Sequence, residues 1–562
     1  MSSSLVFLLG VTVSALGQQP AAPLTLRPAT AQMVLVDAYV TDRKGRPVTD
    51  LQRDDFELLE DDERVTIGAF IQPRRPAVDG GATPPMASAR AETPVPDQEP
   101  MTLILYVDRR LLSPGGRKRA LDQAFTLVES HLAQGARAVV IADDNGLRPL
   151  TPLTKDPAIV RAALTRIQGW ATSSPSVSDA RSTVENIKAV IMSSATSQCD
   201  CACLLPQILQ VVRGYATFRT MEAQETSNRL AFLVNALLGL SGRKAFVYVS
   251  EGLEERPGIQ LYDQIFQVCP QALTRDAPSI YAAMQEFETS RTFQEVTARA
   301  NAARVTFYPI DARGLTGLSS ADISQSDPTL VPNARNDMIK DANLKAPLQL
   351  LGEETGGFAM LNGLDPRAAM KRFDADEQGH YVLGFVPGEA DGKIHKLWLR
   401  LTEKARARRH ADVRHRLSYL RAELPARRGQ RSLSTLLFGL EENALDARVE
   451  VERASVSLAR VHIFLSLGAL KAGADGTANE ARVQVVVSFR STQGEARAIT
   501  VREKDVTFNL TEDERLGNAD RREIVIEVPV DEGAYEFAVG VEDLASGGTS
   551  YLRRSLEAAG EK

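Results

Sequence analysis

Four cysteines and six histidines are the residues with the most chemistry to offer. Cys199, Cys201 and Cys203 stand in a C-x-C-x-C cluster, and Cys269 follows alone. Zinc sites of the usual kind need C-x2-C pairs or nearby histidines, and this cluster has neither. It reads as one or two local disulfides in an oxidising compartment, with free or intermolecular thiols as the alternative. His131, His380, His395, His410, His415 and His462 are scattered, and none forms H-E-x-x-H. Ser250-Glu251-Gly252 is not a G-x-S-x-G nucleophile elbow. Pro114-Gly115-Gly116-Arg117-Lys118 sits where a phosphate loop would, but lacks the G-x4-G-K-[ST] frame and reads as a loop ending in a solvated helix start.

Charged clusters are the next candidates. Glu60-Asp61-Asp62 and Asp143-Asp144 read as solvated turns, with a calcium role as the alternative. The basic run Lys404-Ala405-Arg406-Ala407-Arg408-Arg409-His410 reads as a charged edge between strands, where like charges block unwanted pairing. The alternative is contact with an anionic lipid or polysaccharide. The formal net charge is -6 with acids and bases intermixed, which excludes the basic footprint of a nucleic-acid binder.

These residues need elements to hold them. At 562 residues the chain has room for about three domains. Residues 1–17 read as a signal peptide: an apolar run from Leu5 to Leu16, then Ala15-Leu16-Gly17 with small residues at the cleavage positions. No Lys or Arg precedes that run, so a disordered apolar tail is the other reading. No cysteine follows it as a lipid anchor, and no later stretch reaches membrane length without charges. Export to the periplasm, cell envelope or medium is expected.

Residues 31–72 read as β-strands, too few to close a sheet pair alone. Residues 73–100 are rich in Pro, Ala and Gly and read as a flexible linker. Residues 101–375 then alternate strands and helices. Leu103–Val107, Ala138–Ala142, Ala245–Val249 and Val305–Ile310 are apolar runs of the kind buried on both faces of a sheet. Helices are expected around Leu121 to Leu132, over Asp156 to Ile167 with Asp156 as N-cap, over Glu222 to Leu240, over Phe293 to Ala303, and briefly over Leu348 to Thr355. This is the pattern of a doubly wound parallel sheet. Polar excursions near 170–217 and 312–343 read as surface insertions. Residues 378–420 return to strands and would pair with 31–72, making the α/β segment an insertion in a β-domain. Residues 430–562 carry short strands with turns between them, as in a β-sandwich.

Several fragments then point to a family. They are Val40-Thr41-Asp42-Arg43-Lys44-Gly45-Arg46-Pro47-Val48, Asp54-Asp55-Phe56-Glu57, Gly242-Arg243-Lys244-Ala245, Thr306 to Gly314, Thr355-Gly356-Gly357, Tyr381 to Phe385, and Val413-Arg414-His415-Arg416. In this order they resemble the von Willebrand factor A-related exported proteins of the acidobacterial type, up to about residue 420. The resemblance implies a von Willebrand factor A-like, Rossmann-like sheet and an extracytoplasmic protein that binds another protein. It also implies a divalent cation held by a D-x-S-x-S motif after the first strand, a Thr from a later loop and an Asp at a further strand end. Here that motif reads Asp108-Arg109-Arg110-Leu111-Leu112, and the second Asp position falls on Glu251. The ordinary metal site is therefore expected to be absent, with Mg or Ca disfavoured. Asp108 is expected to cap or salt-bridge at a strand end. Arg109 or Arg110 would pair with Asp108 or Glu251, or offer a cationic contact to an acidic partner. The expected function is protein binding or adhesion in the cell envelope, without catalysis. The alternative is a structural envelope protein that has lost ligand binding.

Overall fold

The computed structural model describes residues 33–72, 101–112, 114–144, 146–170, 189, 201–240, 242–268, 276–313, 334–361, 366–389, 391–421, 427–470, 480–492, 499–509, 511 and 521–558. The expected signal peptide, the 73–100 linker, Cys199 and Cys269 lie outside these residues.

The chain opens with β1 (Val34–Asp42), β2 (Phe56–Glu60), β3 (Glu63–Arg64) and β4 (Ala69–Ile71). It then enters an α/β segment built from β5 (Thr102–Asp108), α1 (Pro114–Ala133), β6 (Arg137–Asp143), β7 (Leu147–Pro149), α2 (Pro157–Gln168) and α3 (Cys201–Leu237). The segment continues through β8 (Lys244–Ser250), α4 (Ile259–Val268), α5 (Ala277–Glu286), α6 (Ser290–Ala302), β9 (Val305–Asp311), α7 (Ala334–Glu354) and α8 (Pro366–Gln378). Its sheet runs β7-β6-β5-β8-β9, parallel except for the edge strand β7. The order reverses at β5/β8, as in doubly wound sheets.

Alternation along each strand feeds two separate cores, because successive side chains point to opposite faces. Leu103, Leu105 and Val107 join α1, α2 and α8 through Leu121, Phe125, Leu164 and Phe373. Ile104 and Tyr106 join α3, α6 and α7 through Leu233, Val234, Val296 and Leu351. Helix α2 starts as its sequence requires: the Asp156 carboxylate accepts the Ala158 N–H at 2.8 Å, and Pro157 takes the first helical position.

Strands β10 (His380–Phe385), β11 (Ile394–Leu401), β12 (Ala411–His415) and β13 (Ser418–Leu420) follow, with α9 (Glu403–Arg409) between β11 and β12. They interleave with the first four strands in two antiparallel sheets, β12-β1-β10-β4 and β13-β11-β2-β3. Val36, Ala38, Leu58, Tyr381, Leu397 and Leu399 fill their shared core. A buried polar seam ties these sheets to the α/β segment. Tyr39 and Thr306 share a hydroxyl hydrogen bond at 3.0 Å, and Arg304 donates to Asp37 at 2.7 and 3.1 Å.

Helix α10 (Arg427–Phe438) then leads into β14 (Glu442–Asn443), β15 (Arg448–Ser455), β16 (Leu458–Leu465), β17 (Glu480–Ser491), β18 (Ile499–Asn509), β19 (Arg522–Pro529), β20 (Tyr535–Asp543) and β21 (Thr549–Leu556). They form a five-stranded sheet, β14-β21-β20-β17-β18, and a three-stranded sheet, β15-β16-β19, around one core. The chain is thus a multidomain protein with one α/β sheet and several antiparallel ones. Among the described residues no helix is long and apolar enough to cross a membrane, which says nothing of strands.

Four expectations change. The basic run Lys404 to His410 is not a strand edge but mostly helix α9, closed by His410 in the left-handed region. Its arginines meet carboxylates: Arg408 pairs with Asp55 at 2.9 Å, Arg406 with Asp412 at 3.5 Å, and Arg409 with Asp50. Residues 201–217 of the expected surface insertion are helical, the first half of α3, which at 37 residues spans about 55 Å. That half packs Ile208, Val212 and Tyr215 on α4 and α5, neither of which was expected. The backbones of Cys201 and Cys203 form its first turn. The 312–343 excursion likewise ends inside α7, whose 21 residues replace the short helix expected from Leu348. Residues 171–188 and 314–333 of the two excursions lie outside the described residues. Finally, Pro114 to Lys118 is the opening of α1, and Arg117 is buried there, with its Nη1 on the Trp170 carbonyl at 2.9 Å.

Candidate functional site

In open α/β sheets, ligands bind outside the carboxyl ends of the strands, at the point where strand order reverses. Register fixes which residues stand there. Asp108 ends β5 beside Asp143 of β6, and Ser250 ends β8 beside Asp311 of β9. All four are buried. Each is the first polar residue after an apolar run, so the strand carries it to the edge and the run holds it in place.

Asp108 is 0 % exposed. The Tyr248 hydroxyl donates to its Oδ2 at 3.0 Å, and Oδ1 has no hydrogen-bond partner. Burial, and then the charge of Asp143, push its pKa up to about 8; the Tyr248 hydrogen bond and the Arg110 charge oppose them. The carboxyl is therefore held neutral near pH 7.

Asp143 sits in a different field. The Tyr106 hydroxyl donates to Oδ2 at 2.9 Å, and Arg229 Nη1 reaches both oxygens at 2.8 and 3.0 Å. This corrects the reading of Asp143 as a solvated turn residue. Its neighbour Asp144 is half-buried and collects Arg109 and, at 3.3 Å, Arg148. Both guanidinium groups also lie over the Trp170 ring, at 5.4 and 5.0 Å from its centre. Asp311 is clamped by Arg313, whose Nε and Nη2 reach it at 3.0 and 2.9 Å.

Of the two arginines after β5, Arg109 meets Asp144 beside β6, and Arg110 reaches toward α3. Arg110 meets Glu225 at 2.9 Å and Glu222 at 3.8 Å. Glu222 pairs in turn with Arg219, which meets Glu254 at 3.2 Å. The Arg109 and Arg110 side chains are 13 % and 18 % exposed. Glu251 is half-buried, next along from Ser250, with its N–H on the Leu111 carbonyl at 3.2 Å. Asp108, Arg109, Arg110 and Glu251 thus share one edge. Tyr106, Tyr248, Asp143, Arg229, Asp311 and Arg313 belong to it too, and of these the sequence points only to Asp143 for a functional role, as the alternative reading. The usable signal was positional, since a polar residue closing a buried strand is an edge residue.

The edge can hold charge in fixed places and keep one carboxyl protonated. Among the described residues, no group of three or more His, Cys, Asp or Glu side chains is arranged to hold a metal ion. No histidine bonds to these edge carboxylates. His131 contacts the Leu127 carbonyl, His380 Asp37, His395 Asp61 and Asp391, and His462 Glu523; His415 accepts the Leu399 N–H.

No protein-family model and no curated protein matches the chain. Among solved structures it is similar to the three N-terminal domains of the type V pili tip protein Mfa5 from Porphyromonas gingivalis. The identity is 10 %, the match covers 65 % of this chain and 68 % of that one, and the TM-score is 0.24. A likeness of that size carries no weight for fold or function.

Proposed function

We propose that this chain is an exported protein of the von Willebrand factor A type that binds another protein at the carboxyl edge of its α/β sheet without a divalent cation. Its role is adhesion or scaffolding in the cell envelope. The observation that carries this reading is the row Asp143, Asp108, Ser250 and Asp311 at the edge where such sheets take their ligands. The strand order, with one antiparallel edge strand and an aspartate closing the first strand, supports the family.

The residues present do not fit the family's cation. Magnesium or calcium needs several oxygen ligands together. Asp108 offers one buried oxygen without a partner, but Arg110 and Leu112 stand at the serine positions and Asp143 is committed to Arg229. The Arg110 charge already acts on Asp108, and a second cation beside it would be repelled.

A second reading is favoured by the burial of Arg109 and Arg110, which are spent on internal ion pairs. In that reading the edge only holds α3 to the sheet, and the antiparallel sheets carry any interaction.

Thermal unfolding with Mg²⁺, Ca²⁺, Mn²⁺ or chelator tests the cation-free reading, because binding to the folded state raises stability by mass action. No shift is expected. A metal-dependent rise that Asp108→Ala abolishes would overturn it. Arg109→Ala with Arg110→Ala separates the two readings: weakened capture of an envelope partner at unchanged thermal stability favours binding, and lowered stability with unchanged capture favours the structural role.

A further inference from the structure

Two of the sequence fragments, Thr355-Gly356-Gly357 and Val413-Arg414-His415-Arg416, meet in space far from the carboxyl edge. Thr355 and Arg416 form an isolated antiparallel bridge. Gly356 takes φ +82°, and a Cβ on Gly357 would run into the Phe307 carbonyl, so only glycines let this loop press between β9 and β12. The loop carbonyls of Gly356 and Gly357 each accept from Arg414 Nη1 at 3.1 Å, and Arg414 Nη2 pairs with buried Asp376. Arg414 is therefore fixed on both sides.

Beside it lies a cleft of about 530 Å³, lined among others by Phe358, Arg372, Arg414, Glu353 and His415. That is the size of a small-molecule site. Phe358 is its floor: the ring is buried and held edge-on by Tyr308 at 5.3 Å. Arg372 lies over this ring at 4.0 Å and Arg414 at 5.6 Å. Two guanidinium groups thus lie near one aromatic ring. Among the described residues no carboxylate stands within ion-pair distance of Arg372, which lies over the ring. Although its side chain reaches solvent, desolvation and then the charge of Arg414 push its pKa down, opposed first by Asp376 and more weakly by Glu353. A planar fork of donors with no acceptor, beside a second immobile cation, is complementary to an oxyanion.

We infer that the cleft between the Thr355–Leu361 loop and β12 binds a small oxyanion-bearing molecule, with Arg372 as the bidentate donor, Arg414 as the fixed second charge and Phe358 as the floor. Free carboxylates and phosphoryl groups share this chemistry. The site shares no residue with the proposed protein-binding edge, so either can fail without the other.

The test is thermal unfolding of the full chain titrated separately with succinate and with inorganic phosphate, at constant ionic strength with chloride as control. A saturable rise in Tm is expected with at least one of them, and the tighter one identifies the source. Arg372→Gln should weaken that response about tenfold or more, the loss of a charge-assisted pair. Arg372→Lys should fall between, since it keeps the charge without the fork. Lys371→Gln, exposed next to it on α8, should keep the wild-type response. The proposal is overturned if neither anion shifts Tm more than chloride, or if Arg372→Gln responds like the wild type.

Discussion

Asp108 and Asp143 are register partners at the ends of adjacent parallel strands, and only Asp143 receives a guanidinium at hydrogen-bond distance, from Arg229. Asp108 has the Tyr248 hydroxyl instead. Two buried carboxyls side by side do not both ionise cheaply, and the one without the arginine keeps its proton. Its folded pKa of about 8 lies above the ordinary aspartate range. The folded state thus holds a proton that the unfolded chain releases above roughly pH 4, so this group lowers stability as pH rises from there to about 8. Asp108→Asn removes the titration and keeps the shape. It should be more stable than wild type, with a gain that grows on the order of 1 kcal/mol per pH unit between pH 5 and pH 7. Urea unfolding at several pH values reads this directly, and a pH-independent gain would contradict it.

Asp37 shows the opposite sign. Burial works against its charge, but Arg304 and His380 outweigh burial and hold its pKa well below the usual range. Its stabilisation is present above roughly pH 4 and disappears as pH falls through the lower folded value. Asp37→Ala leaves Arg304, itself largely buried, without its carboxylate at the seam between the sheets. A loss of about 3–5 kcal/mol at pH 7 is expected, the usual size for breaking a buried pair. The gap to wild type should narrow in acid. A gap that stays constant down to pH 3 would assign the effect to packing.

The physical reason that some of this was legible and some not is range. The runs Leu103–Val107, Ala138–Ala142 and Ala245–Val249 became β5, β6 and β8 because burial on both faces leaves a local mark, an unbroken apolar stretch. The Asp156-Pro157 start of α2 is equally local. Asp143 was misread because Asp-Asp-Asn-Gly looks like a turn, while the residue that buries it, Arg229, comes from 86 positions away. Arg110 was aimed at Asp108 because the two are neighbours in sequence; its Glu225 partner lies on the expected helix, but 115 positions away, and nothing local to Arg110 marks it. Helix α10 was overlooked although Leu433, Leu436 and Leu437 have helical spacing, because its first turns are arginine, glycine and serine.

His395 offers a check by spectroscopy. Partial burial disfavours its charge, but hydrogen bonds to Asp391 and Asp61 prevail and raise its pKa. The imidazolium should therefore titrate above roughly 6.5 in the folded protein. Its contribution is full below that value and is lost as pH rises through the folded pKa. The His395 ring is buried, but its partners Asp61 and Asp391 are half and a third exposed and screened by solvent, so His395→Gln should cost under about 1 kcal/mol, and more at pH 5.5 than at pH 8.5. An NMR titration showing an ordinary or lowered midpoint would break the link to the two aspartates.

The C-terminal sheets are joined to the α/β segment by α10, and one glycine makes the junction close. Leu433, Leu437 and Phe438 of α10 pack into the α3 core, while Ser432 donates to Ser488 of β17 at 2.9 Å. The Ser434 hydroxyl donates to the Ala236 carbonyl near the end of α3. Three residues on, Gly239 approaches so near that a Cβ there would collide with Ser434 and touch the Arg431 backbone at 3.0 Å. The serine could rotate away, but the α10 backbone could not. Gly239→Val should therefore push α10 off α3, at an overpacking cost of about 1–3 kcal/mol. The interior of each sheet pair is untouched, so calorimetry should show the wild-type transition splitting, the C-terminal sheets melting apart from the rest. Gly239→Val together with Ser434→Gly should recover part of the loss by removing the side chain in conflict. A single unsplit transition at the wild-type temperature would mean that α10 does not couple the two parts.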